Sequence, residues 1–116
     1  MFKALALGIL AGLTLLAAPA SGLADTNGLM IVRHQVSDYA KWRQVFDGQD
    51  AVRDAAGLTN PRVYQIAGNS NEVLIVIDAA DLEQARSFAS SPELKARMKD
   101  AGVVGKPEIL FLTVGP

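Results

Sequence analysis

The chain carries one histidine and one tryptophan, and both fall in a single stretch, Met30 to Phe46. The imidazole of His34 titrates ordinarily near neutrality, so it could act as a general base or as a donor that orients a ligand. Arg33, its neighbour, could stabilise an enolate-like anion. Trp42, Tyr39 and Tyr64 could line a pocket for a flat organic ligand, stacking on it and offering indole or phenol donors. Each of these residues also has a structural reading. His34 could be bonded to a backbone carbonyl or a carboxylate, and Trp42 sits on an apolar helical stripe that points to a core role.

Other chemistries find no residues to carry them. With a single His, no site that needs two histidines forms within one chain. Asp47, Asp50 and Asp54 are spaced like hard-cation ligands, but Arg43 and Arg53 lie within a turn of them and would pair with them on a solvated face. There is no Gly-x-Gly-x-x-Gly, no Gly-Lys-Ser/Thr phosphate loop and no Gly-x-Ser-x-Gly, so neither a cofactor nor a metal is expected.

The elements that must position these residues follow from periodicity. Leu29 to Val36 reads as a strand, β-branched and apolar at first, with Arg33, His34 and Gln35 near its end. Strand parity puts His34 with Met30, Val32 and Val36, and Arg33 and Gln35 on the opposite face with Leu29 and Ile31. Ser37 or Asp38 caps a helix over Tyr39 to Ala56, striped by Tyr39, Trp42, Phe46, Val52 and Ala56 and stopped by Gly57. Arg62 to Ile66 alternates like a half-buried strand, Gly68 to Asn71 turns, and Val73 to Ile77 returns beside it as a hairpin. Asp81 with Gln84 opens a short helix striped by Leu82, Ala85 and Phe88. Ser91-Pro92 opens another, striped by Leu94, Met98 and Ala101 and ended by Gly102. Glu108 to Val114 is the last strand.

This β-α-β-β-α-β order predicts an α+β, ferredoxin-like fold, a four-stranded antiparallel sheet with helices on one face and the first and third strands central.

Residues 1–24 read as a secretory signal peptide, with Lys3 ahead of an apolar run and small residues before a cut after Ala24. Residues 25–116 then form one domain, periplasmic or secreted, with no stable membrane anchor after cleavage. Without the leader, ten basic residues stand against twelve acidic ones. That scattered, slightly acidic balance excludes a nucleic-acid footprint. The chain has no cysteine, so disulfides contribute nothing to its stability.

The sheet should also be covered on its second face. In the third and fourth strands Leu74, Val76, Leu110 and Leu112 oppose an equally apolar set, and burying the four is worth about 6–12 kcal/mol in total. That rivals the whole stability of such a domain, about 5–15 kcal/mol. A second copy of the same sheet is the economical cover, which predicts a homodimer through the open sheet face.

Several blocks carry a family resemblance: Val32-Arg33-His34-Gln35-Val36 with Asp38-Tyr39 and Trp42, Arg53-x-Ala55-Ala56-Gly57-Leu58, Ala89 to Lys95, and Ala101-Gly102-Val103-Val104-Gly105-x-Pro107-Glu108. Together they resemble small bacterial proteins of the dimeric α+β barrel superfamily, which includes antibiotic biosynthesis monooxygenase-like and stress-responsive A/B barrel domains, and this chain is identified as an exported member. The resemblance covers nearly all of residues 25–116. It implies a dimeric barrel with a small cavity between sheet and helices, and it leaves three functions open. One is a binder in which His34, Trp42 and Tyr64 contact a small hydrophobic or aromatic ligand. Another is a cofactor-independent monooxygenase-like enzyme with His34 as base and Arg33 as anion stabiliser. The third is a structural or interaction protein with a filled barrel.

Overall fold

A computed structural model describes residues 27–114; the leader expected over residues 1–24 lies outside them. The elements run β1 (Gly28–Val36), α1 (Tyr39–Gly48), α2 (Asp50–Ala55), β2 (Leu58–Ile66), β3 (Asn69–Ala79), α3 (Leu82–Ala89), α4 (Pro92–Asp100) and β4 (Val103–Thr113). The four strands form one antiparallel sheet in the order β2-β3-β1-β4, so β1 and β3 are central and the ferredoxin-like topology holds. Three strands are longer than their apolar centres suggest, because backbone pairing continues through polar residues such as Asn69 to Glu72 and Gly105 to Glu108.

The caps form where short polar side chains stand. The Asp38 carboxylate accepts from Lys41 N at 3.3 Å, and Ser91 Oγ accepts from Leu94 N at 3.1 Å. Asp81 accepts from Glu83 N and Gln84 N, but the Gln84 side chain donates to Ala55 O at 3.2 Å instead of closing the box, which ties α3 to the end of α2.

The helix expected over Tyr39 to Ala56 is two helices. Gly48, weak as a helix former, precedes a break at Gln49, whose N–H bonds back only three residues to Phe46 O at 3.1 Å. Val52, expected on the apolar stripe, is 49% exposed, and Arg53, expected on the ion-paired surface, is 6% exposed. Arg53 Nη1 donates at 2.7 Å to Phe46 O, the carbonyl that also accepts from Gln49 N at the end of α1.

The register separates the two sheet faces. Met30 faces Ile77 and Phe111, and Val32 faces Ile75 and Ile109; these rows meet the helices and, with Val36, Trp42, Leu58, Val73, Ala79, Ala85 and Ala101, build the core. The other face carries the rows Ile31–Val76–Leu110 and Leu29–Asp78–Leu112. Among the described residues no element covers it, and Leu110 and Leu112 are exposed. The second apolar face inferred from the strand pattern is therefore present and open in the single chain.

Candidate functional site

A partly open cavity of about 330 Å³ lies between the inner sheet face and the helices. Met30, Val32, His34, Ile75 and Ile77 form its floor, and Trp42, Phe46 and Arg53 form one wall. Glu93, Leu94, Arg97 and Met98 of α4 face them. The volume is at the lower end of the roughly 300–1,000 Å³ usual for small-molecule sites. An apolar cavity of about 150 Å³ already holds benzene, so there is room here for a body of one or two rings.

His34 projects from the central strand into this space. It pairs across β1·β3 with Val73, but on the β4 side the register jumps from Arg33–Glu108 to Gln35–Val104, so a bulge containing Gly105 (φ +74°) and Pro107 stands opposite it. Bulges of this kind locally re-aim the strand and its side chains. His34 is 5% exposed, and neither ring nitrogen has a hydrogen-bond partner among the described residues. The backbone-bonded or carboxylate-bonded histidine considered from sequence is therefore not what forms. It meets the Trp42 ring edge-on, with centroids 5.6 Å apart. Burial pushes the imidazole down to about 4, so at neutral pH it is uncharged, with one nitrogen free to donate and the other free to accept.

Trp42 is 2% exposed in the core, and it also lines the cavity. It stacks on Phe46 at 4.9 Å, and the Arg53 guanidinium lies over the far end of that ladder, 3.7 Å from the Phe46 centroid. Burial lowers the Arg53 pKa against the opposing pull of Asp50 and Asp47, yet a guanidinium stays charged. Asp50 approaches Nη2 only at 3.6 Å and is itself largely exposed, and Arg53 Nε has no partner.

Two residues singled out with His34 do not reach the cavity. Tyr64 pairs with Leu74, which pairs with Arg33, so Tyr64 and Arg33 share the open sheet face, with the sheet between them and the imidazole. Arg33 is bound there by Glu72, its Nε donating at 2.6 Å. Strand parity is the cause, since odd and even residues of β1 point to opposite faces. In the acidic run Asp47 pairs with Arg43 at 3.0 Å on the surface, as expected, whereas Asp50 reaches the buried Arg53 only at 3.6 Å. Arg53 is the site residue that sequence reasoning missed. A signal was available, because it lies seven residues from Phe46 and so returns to the same helical face.

No family sequence model and no curated protein sequence matches the chain. Solved structures do. A proposed antibiotic biosynthesis monooxygenase from Bordetella bronchiseptica superposes with a TM-score of 0.66 over 78% of this chain and 99% of its own, at 11% identity. A variant of SnoaB, a cofactor-independent oxygenase from Streptomyces nogalater, gives 0.60 over 77% and 93%, at 15% identity. The fold is that of the antibiotic biosynthesis monooxygenase-like α+β barrel proteins. The ActVA-Orf6 monooxygenase of Streptomyces coelicolor, in complex with nanaomycin D, also matches, with a TM-score of 0.55 over 79% of this chain and 90% of its own, at 15% identity. At such identities the likeness is one of architecture, and the chemistry rests on the residues described above.

Proposed function

We propose that this protein binds a small aromatic or largely apolar molecule in the cavity between its sheet and helices. The observation that carries this is a buried, uncharged imidazole with both nitrogens unbonded, set among apolar side chains in a cavity of about 330 Å³. A buried polar group without a partner costs about 1–3 kcal/mol, and a ligand hydroxyl or carbonyl at His34 recovers that cost. Trp42 and Phe46 supply an aromatic wall beside which the ligand lies. The cavity argues against a barrel filled by its own side chains.

The likeness to cofactor-independent oxygenases favours one second reading, in which His34 takes the proton of a quinol hydroxyl and the resulting anion reacts with dioxygen. A base whose pKa is near 4 is poorly matched to that task at neutral pH, which is why binding stands first. In either reading the working unit is a homodimer joined through the open sheet face, exported by a leader over residues 1–24 that is removed on export.

Titration of wild type and His34→Ala with a panel of one- and two-ring phenols and quinols, followed by Trp42 fluorescence and oxygen uptake, tests the proposal. The expected result is saturable quenching that weakens about tenfold in His34→Ala, without oxygen uptake in either protein. Oxygen uptake abolished by His34→Ala would establish the enzyme reading, and no quenching by any probe would reject a ligand site.

A further inference from the structure

The cavity has a second polar pole that the binding reading does not use. Arg53 is held at one end of the ring ladder, with its side chain 7% exposed. Of its three nitrogens, Nη1 is committed to Phe46 O, Nη2 has only the distant contact to exposed Asp50, and Nε has none. The edge left over, Nε with Nη2, is the edge that Arg33 presents to Glu72 on the other sheet face. It has the geometry that takes a carboxylate through two parallel hydrogen bonds.

We propose that the ligand is an anion: a flat one- or two-ring acid whose carboxylate binds the free edge of Arg53, whose body lies along Phe46 and Trp42, and whose far end meets His34. This rests on the binding reading and names the ligand's chemical class. A buried guanidinium that lacks a full counter-charge favours a ligand that supplies one. The charged side chains lining the cavity are Arg53, Arg97 and Glu93, leaving one net positive charge. Arg97 is drawn aside by Asp100 at 3.0 Å, and Glu93 keeps anions away from the α4 side, so the carboxylate is directed to Arg53. His34, uncharged and offering both a donor and an acceptor, suits a hydroxyl or carbonyl rather than a second anion.

The test compares 6-hydroxy-2-naphthoate with its methyl ester, titrated into the protein at neutral pH and followed by Trp42 fluorescence and calorimetry. The acid is expected to bind about tenfold tighter than the ester. Arg53→Met should remove that preference by weakening the acid far more than the ester, and Arg53→Lys, which keeps the charge but not the planar edge, should retain only part of it. Arg53 also caps Phe46 O, so Arg53→Met could unfold. The acid-to-ester ratio in wild type then decides, together with Glu93→Gln, in which acid binding should tighten a few-fold and ester binding should not change. Equal or tighter binding of the ester overturns the anion assignment while leaving the ligand site standing. Failure of both compounds to bind overturns the assignment and the binding reading together.

Discussion

Acidification should destabilise this protein through His34 by an amount that can be worked from its burial. The imidazole is held neutral, with its pKa pushed from 6.5 down to about 4, and the facing charged groups Arg53, Glu93 and Arg97 do not supply it with a partner. The unfolded chain takes up the proton near pH 6.5 and the folded chain only near pH 4. Between those values the unfolded state therefore carries more protons, and stability falls as the pH falls. Above about pH 6.5 the penalty is absent, and below about pH 4 it is complete. The full gap is worth about 3 kcal/mol at about 1.4 kcal/mol per pKa unit, and most of it, about 2–3 kcal/mol, is lost by pH 4.5. For a domain of this size that lowers the melting temperature by on the order of 10–20 °C. The control is His34→Leu, which removes this titration. Carboxylates such as Asp78, held below the usual range by hydrogen bonds from Asn60 and Arg62, weaken the two proteins equally. Urea unfolding of untagged wild type and His34→Leu between pH 7 and 4.5, read by Trp42 fluorescence, should show two curves that diverge as the pH drops. Proton NMR of the single imidazole gives the folded pKa directly. Parallel stability curves, or an imidazole titrating near 6.5, would refute the buried, unpartnered description of His34.

Further expectations concern the core, a turn and the open face. Trp42→Ala should cost about 3–5 kcal/mol in urea unfolding, because the ring is 2% exposed and joins His34 to Phe46; a loss below 1 kcal/mol would show that the core does not rest on it. Gly102→Ala should cost about 1–3 kcal/mol, since its φ is +82° and an added Cβ would stand 2.6 Å from Ser37 Oγ; a neutral result would contradict that turn geometry. Leu110→Arg, at a 48% exposed position of the open face, should leave the subunit folded but shift a wild-type dimer to monomer in sedimentation at micromolar concentration. Wild type sedimenting only as monomer would remove the dimer proposal.

Several features follow from local sequence alone. The βαββαβ order, the caps at Asp38, Asp81 and Ser91 and the two apolar sets of β3 and β4 depend only on spacing within one element and on the short-range chemistry of single side chains. The antiparallel order with β1 and β3 central follows from connection rules, and the structure agrees. Parity likewise places His34 and Arg33 on opposite faces, but it does not say which face meets the helices. That is decided by the whole sheet, where rows such as Met30–Ile77–Phe111 pack beneath α1 to α4, taking His34 inward and leaving Arg33 and Tyr64 outside. The fate of Arg53 is also tertiary. In sequence its spacing returns it to the Phe46 side, but its burial, its seat over the Phe46 ring and its place in the wall of the cavity that His34 faces come only with the packed structure.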